Sequence, residues 1–430
     1  MRYNTPMLRA LLFLPLLLFL SACQPPPAAN VAGFMLAQQL HSLPSPSLHR
    51  PPGAMEGRVL AGDRPLAGAV VLVAERTGKA HTATSDAAGR YRIENIPPDD
   101  YVVAAVAPGY AEGALHNAWG GPVPLPVRSG QTTQPPDLQL SPLRGDTTPL
   151  DLSSLNVRLT AEYTATAPFP EGSAAQVRAF AFDREGVTVD TLRLYLPLDA
   201  QPGDRYPLVL FVAPTAVDDW QYVSTAFAGQ GLAVAAISPL AARGVDADAQ
   251  AQDTRAALAL AQSGALGAEV GGNRPVAVGG SYSSAILARL VRTAGDKLGG
   301  WVSVGGLADA FAGAADFYAG KLQMPPNYAL LVPAFGLPNL YPLTFLRYSP
   351  VFVASELPPT LLIHTAADQV LPIAQAYELE AAAKAAGVPV ETYYYTDTSH
   401  YLGIGDNLTD AGREMFYKIV DFVKRYGEQP

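Results

Sequence analysis

The hydrophobic rhythm of the chain changes along its length, and each change predicts a different kind of element. Residues 11–20 form an apolar block interrupted only by Pro15. Residues 24–53 show no hydrophobic period and are rich in Pro, Ala and Ser, with Pro25-Pro26-Pro27 and Pro51-Pro52, as in an extended tether. From Met55 to about Leu140 the pattern becomes one of short runs, at 56–60, 68–74, 80–85, 90–93 and 101–107, each bounded by Gly, Pro, Asp or Asn. Short strands at this spacing predict a β-sandwich. Residues 143–176 read as a polar linker. Two alternating runs follow, at 177–182 and 187–196, and then a near-continuous apolar run at 206–213 suited to a strand buried on both faces.

From there strands and helices alternate. Helices are expected at 220–230, 249–266, 373–386 and 413–426, and strands at 232–237, 276–279, 301–304, 360–364 and 390–395. The last helix carries Met415, Phe416, Ile419, Val420, Phe422 and Val423 on one stripe. This succession predicts an α/β domain, a doubly wound and mostly parallel sheet over 177–430, preceded by the small all-β sandwich at 54–142.

At 430 residues the chain exceeds one ordinary core, and with 49% hydrophobic and only 16% charged residues it can bury large ones. The formal charge is −9, and no basic run appears, which argues against nucleic acid as a partner. The sole cysteine is Cys23, so an intramolecular disulfide and a thiolate-rich metal site are both excluded. His81 and His116 in the sandwich are too isolated to suggest a metal. No P-loop, dinucleotide fingerprint or His-Glu-x-x-His motif occurs, and no cofactor is implied.

Cys23 carries a second message. As a helix, residues 11–20 would reach only about 15 Å, half of the roughly 30 Å a bilayer core demands. With Arg2 and Arg9 ahead of it, the block reads as a signal sequence. It ends in Leu20-Ser21-Ala22-Cys23, which resembles a bacterial lipobox. The resemblance implies that residues 1–23 are a lipoprotein signal, that Cys23 is lipidated, and that the protein is exported and anchored to a membrane, periplasmic or at the cell surface.

The chemistry concentrates at Gly279-Gly280-Ser281-Tyr282-Ser283-Ser284, between an apolar strand and a helical pattern. A serine on a tight strand-to-helix turn stands clear of the backbone, and the helix N-terminus offers N–H groups to an oxyanion. Such a nucleophile needs a base and an orienting acid. His400 follows the strand at 390–395, and Asp368 follows the strand at 360–364. A loop at the carboxyl end of a strand suits both roles. The resulting chain order is Ser281, Asp368, His400.

Two resemblances rest on these residues. Thr84-Ser85-Asp86-Ala87-Ala88-Gly89-Arg90-Tyr91-Arg92-Ile93, followed by Ile96-Pro97-Pro98-Asp99-Asp100-Tyr101, resembles the carboxypeptidase regulatory-like domain, a transthyretin-like sandwich. Asp100 stands where the family often has Gly. The resemblance implies a module without a catalytic set, acting as a spacer or binding a glycan or protein surface. Residues 177–430 are similar to the α/β-hydrolase superfamily, near its dienelactone-hydrolase and prolyl-oligopeptidase-like branches, through Gly279, Ser281 and Ser283 and through the acid loop from Pro358 to Asp368. Ser283 occupies a position that is usually Gly. His364 matches a position usually assigned to structure.

The α/β-hydrolase resemblance implies a Ser281–His400–Asp368 triad, an acyl-enzyme, and an oxyanion hole built from the backbone N–H groups of Tyr282 and Thr215. In relatives the loop carrying the second donor often reads His-Gly. Here it is Ala213-Pro214-Thr215-Ala216, and proline has no N–H to give. Residues 309–356, rich in Phe, Tyr and Pro, interrupt the strand–helix rhythm and are expected either to cap the site or to fill a core. As a cap they would favour an acyl or aromatic group, with Asp309 or Asp316 as the alternative for a cationic one. The expected activity is an esterase acting on a small-molecule ester. The alternatives are a serine peptidase, and a non-catalytic surface protein that works through its sandwich.

Overall fold

The computed structural model describes residues 50–143, 150–244, 246–322, 335–396, 400 and 409–427. The signal block, Cys23 and the Pro/Ala-rich tether lie outside the described residues.

The smaller domain is built from short, mostly antiparallel strands. Gly53–Ala61 pairs with Arg90–Ile96, and Val70–Ala74 lies between Ala80–Thr84 and Ala104–Val106. Arg90–Ile96 shows why the sequence folds this way. Its arginines face water while Tyr91 and Ile93 turn inward on the period of two that a strand imposes. They meet Met55, Val59, Val71 and Val73 in one core.

The larger domain contains a nine-stranded sheet. Its strands are β1 (Arg158–Thr166), β2 (Ala174–Arg184), β3 (Val187–Pro197), β4 (Leu208–Val212), β5 (Ala233–Ile237), β6 (Val276–Gly280), β7 (Gly300–Val304), β8 (Thr360–Thr365) and β9 (Val390–Tyr395). They are ordered β1-β2-β3-β5-β4-β6-β7-β8-β9. The first three run antiparallel, β3 meets β5 antiparallel, and every later pair is parallel. The sheet therefore begins inside the segment expected to be a linker. Strand β1 is exposed along almost its whole length, with only Ala165 buried, so no apolar run announces it.

Strand β4 explains the two-sided packing. Leu208, Leu210 and Val212 enter one core, whereas Val209 and Phe211 enter the other. On the first side lie α2 (Ala247–Gln262), α3 (Tyr282–Ala294) and α5 (Ala374–Ala385), contributing Leu258, Leu287, Leu290 and Leu379. On the second lie α1 (Gln221–Ala228) and α6 (Asp410–Tyr426), contributing Phe227, Phe416, Ile419 and Phe422. Each such side chain contributes about 1.5–3 kcal/mol on burial.

Residues 309–322 and 337–356 pack on the body of the protein. Asp309 caps α4 (Ala310–Tyr318) by accepting the N–H groups of Phe311 and Ala312 at 2.8 and 3.2 Å. Phe311 rests 5.5 Å from Phe345, centroid to centroid, and Tyr348 donates to Asp248 of α2 at 2.8 Å. Asn339 bonds the sandwich backbone, donating to Asp100 at 3.0 Å and accepting from Val102 at 2.8 Å. Gly78, in a sandwich turn at φ +101°, comes so close to α4 that a Cβ there would lie 2.7 Å from the backbone of Phe311 and Ala315.

Buried charge also joins the domains. Arg292 of α3 donates to Glu112 and to the Tyr110 carbonyl of the sandwich, and to Glu356 at 2.7 Å. Arg289 adds a bond to Glu112 at 2.8 Å, and Glu356 accepts the N–H of Gly109 at 2.6 Å. The side chains of Arg292 and Glu112 are only 4% and 3% exposed.

Candidate active site

Parallel pairing aligns the carboxyl ends of β6 to β9. Gly280 is in register with Val304, Val304 with Ile363, and Thr365 with Tyr395. Neighbouring strands lie about 4.8 Å apart, so residues just past these ends form a row along one edge of the sheet. Ser281, Asp368 and His400 follow β6, β8 and β9 respectively.

Ser281 sits at φ +53°, a left-handed conformation that is costly for a residue with a Cβ. Its N–H is tied to the Val304 carbonyl at 2.9 Å. Ser283 is buried in the first turn of α3, where its hydroxyl donates to the Gly280 carbonyl at 2.8 Å and accepts the Gly280 N–H at 3.2 Å. The side chain that replaces the usual glycine thus ties the turn together. Tyr282 opens α3, where helical geometry leaves N–H groups to be satisfied from outside the helix. Its hydroxyl accepts from Gln250 of α2 at 3.0 Å.

The Asp368 side chain is fully buried. Its Oδ1 accepts the N–H groups of Val370 and Leu371 at 2.8 and 2.9 Å. Its Oδ2 lies 2.6 Å from His400 Nδ1 and 3.3 Å from His364 Nε2. Burial alone would raise the acid's pKa. The hydrogen bonds from His364 and His400, with the charge of His400 and the Leu371 N–H, hold it well below the usual carboxylate range. An ionised carboxylate only accepts, so a neutral His400 carries its proton on Nδ1 and leaves the lone pair on Nε2. His364 Nε2 also lies 2.9 Å from the Leu371 carbonyl, which likewise only accepts, so that nitrogen bears a proton. Gly305, at φ +55°, passes under this pair, and a Cβ there would lie 3.4 Å from the His400 ring and 3.5 Å from Asp368 Oδ2.

Pro214 reaches the same site from the end of β4. Thr215 is held from two directions: its carbonyl accepts from Ser238, and its hydroxyl accepts the Trp220 indole N–H at 2.8 Å.

Ser281 and His400 open onto one cleft. Its walls are apolar, with Phe169, Phe211, Trp220, Phe227, Met415 and Phe416 prominent among them. The sequence pattern marks the α6 residues only as core stripe, and the rest come from separate segments with no motif between them. The described walls take nothing from residues 309–356. Phe311, Phe345 and Tyr348 of that segment pack elsewhere, as described above. Asp316 pairs with Lys321 at 2.9 Å and Asp309 is a helix cap, so neither serves a cationic group in this cleft. Among the described residues, no group of three His, Cys, Asp or Glu side chains is placed to hold a metal ion. His81 instead meets Glu75 at 2.8 Å, and His116 meets the Ala114 carbonyl at 2.9 Å.

Comparison with known families agrees with this architecture. Residues 54–141 match the carboxypeptidase regulatory-like domain, and residues 270–429 match the prolyl oligopeptidase family. The chain joins a carboxypeptidase regulatory-like domain to an α/β-hydrolase. The hydrolase domain has the mostly parallel sheet of its superfamily, preceded by the β-rich domain. No curated protein matches the chain. Among solved structures, carboxyl esterase 2 from the mycorrhizal fungus Tuber melanosporum is 14% identical, with a TM-score of 0.49, over 61% of this chain and 89% of that one. Acylaminoacyl peptidase from Pyrococcus horikoshii is 14% identical, with a TM-score of 0.46, over 84% of this chain and 54% of that one.

Proposed function

We propose that the protein is a serine hydrolase that cleaves carboxylic esters through Ser281, His400 and Asp368. The observation that carries this reading is the 2.6 Å bond between His400 and the buried Asp368, beside the strained turn of Ser281 and on the same cleft.

Each residue has one task. Ser281 Oγ attacks the ester carbonyl carbon, and its proton passes to His400 Nε2. Asp368 holds the imidazole in the tautomer that accepts there and stabilises the imidazolium that forms. The tetrahedral oxyanion is met by the backbone N–H groups of Tyr282 and Thr215. Collapse expels the alkoxide, which takes the proton from His400 and leaves an acyl-enzyme. Water then attacks with His400 as base, and the carboxylic acid departs.

Pro214 has no N–H to give, so the loop's contribution to the oxyanion rests on Thr215, and loss of such a donor typically costs about 3–4 kcal/mol of transition-state stabilisation. An ester makes the smaller demand on such a site, because its alkoxide leaves readily whereas an amide nitrogen must first be protonated. The match of residues 270–429 to the prolyl oligopeptidase family favours a second reading, a serine peptidase with the same residues in the same roles. Export and lipid anchoring through Cys23 belong to the proposal, supported by the sequence at residues 20–23.

The test is turnover by protein lacking residues 1–23. Hydrolysis of short p-nitrophenyl esters in preference to peptide anilides supports the esterase. The reverse preference supports the peptidase, and turnover of neither supports the non-catalytic surface role.

A further inference from the structure

We infer that Trp220 and Ser238 are positioning residues that hold the Thr215 peptide as the second oxyanion donor, each through a hydrogen bond to Thr215 itself. The inference rests on the serine hydrolase reading and names the side chains on which that donor depends.

Thr215 leaves the sheet beside the site. Ala213 extends the pairing of β4 with β5 by one bond, its N–H donating to the Ile237 carbonyl at 2.9 Å. Pro214 then lines the cleft onto which Ser281 and His400 open, so the Thr215 nitrogen, bonded to Pro214, stands at that wall. The proline ring fixes its own φ near about −65°, which removes one freedom from the approach. Among the described residues, the Thr215 N–H has no acceptor.

Two side chains from different elements grip the rest of the residue. Ser238, fully buried just past β5, donates its hydroxyl proton to the Thr215 carbonyl. The Ser238 carbonyl in turn accepts from the Thr191 hydroxyl of β3 at 2.7 Å. Trp220 ends the short turn Val217–Trp220, in which the Asp219 N–H donates to the Ala216 carbonyl at 3.1 Å. That turn brings the indole back to the loop, where its Nε1 donates to Thr215 Oγ1 at 2.8 Å. The ring lies 5.9 Å from Phe211, centroid to centroid, and forms part of the cleft wall. At the Thr215 Cα, the bonds to the carbonyl carbon and to the side chain are thereby held. The bond to the nitrogen then follows from tetrahedral geometry. An oxyanion donor is effective because it is ordered before charge develops, and these two ties supply that order.

The test combines turnover of p-nitrophenyl acetate with inhibition by phenylboronic acid, whose serine adduct is tetrahedral like the transition state. Thr215→Val keeps the shape of the residue and loses the hydroxyl. Trp220→Phe keeps a ring against Phe211 and loses the N–H. Each should lower kcat about 10- to 100-fold with KM within about twofold, and raise the boronate Ki by the same factor as kcat falls. The double variant should lose no more than either single one, because both break the same bond. Thr215→Ser restores the hydroxyl and should recover most of the loss. Ser238→Ala should act alike through the carbonyl, and where it does not fold the Thr215 and Trp220 variants carry the test. Variants that melt lower yet keep the wild-type kcat and boronate affinity would overturn the inference and make these ties ordinary loop packing. Additive losses in the double variant would also overturn it. A wild type that turns over no ester and takes no fluorophosphonate on Ser281 would instead overturn the hydrolase reading beneath it.

Discussion

His364 and His400 approach the same oxygen of Asp368, at 3.3 and 2.6 Å. His364 lies on β8 and His400 beyond β9, so the carboxylate is held between two neighbouring strands. His364 also donates to the Leu371 carbonyl, which closes the loop carrying the acid. Under the proposed function it is therefore a positioning residue, acting through Asp368.

Removing that support should be felt in both stability and rate. In His364→Leu, Asp368 loses a hydrogen bond to a charged group, worth about 1.5–3 kcal/mol, and the Leu371 carbonyl is left buried. We expect a lower Tm and a fall in kcat of about tenfold, with KM little changed. His364→Gln restores an N–H donor and should recover part of both. Equal losses in the Leu and Gln variants would mean that His364 merely fills space.

Asp368 should also leave a mark on acid stability. Its folded pKa lies well below the unfolded value of about 3.9. The ionised form is the one the fold favours, so the contribution is complete above the unfolded pKa and is lost as pH falls through the folded one. At pH 7 the wild type should melt above Asp368→Asn, and the gap should narrow as pH is lowered past about 4. Melting curves recorded from pH 7 to pH 2.5 check this. A gap that is independent of pH would contradict it.

The ion pairs beneath the sandwich predict that the two domains melt together. Glu112→Ala leaves buried Arg292 with one carboxylate, Glu356, in place of two, and should lower the Tm while costing less than the roughly 3–5 kcal/mol typical of an outright broken buried pair. The double variant Glu112→Leu, Arg292→Met removes both charges and should be less destabilised than Glu112→Ala. Calorimetry of the three proteins checks the order. An unchanged Tm in Glu112→Ala would return the sandwich to the role of a loosely held spacer.

Much of this architecture is legible in the sequence, because its central strands are buried on both faces and the half-buried edge strand at 390–395 is marked by its run of tyrosines. The runs at 360–364 and 390–395 stand out as strands, and the loops that follow them carry Asp368 and His400. What escapes the sequence is whatever depends on surfaces meeting. Arg292 and Glu112 are 180 positions apart, and each reads as an ordinary surface charge. Strand β1 is invisible because an exposed edge strand needs no apolar face. The cleft draws Phe169 from a segment that reads as a polar linker, and Phe227 and Phe416 from two distant segments whose pattern predicts only helices. The aromatic-rich segment at 309–356 suggests a cap by composition, but its described residues meet α2 and the sandwich.

The central claim is that Ser281 is an activated nucleophile, and covalent labelling tests it most directly. Folded protein lacking residues 1–23 should take up one fluorophosphonate, and digestion should locate it on Ser281. Ser281→Ala should remain unlabelled, with kcat lower by about 10⁴–10⁶. A folded protein that takes no label, or carries it on another residue, would contradict the account.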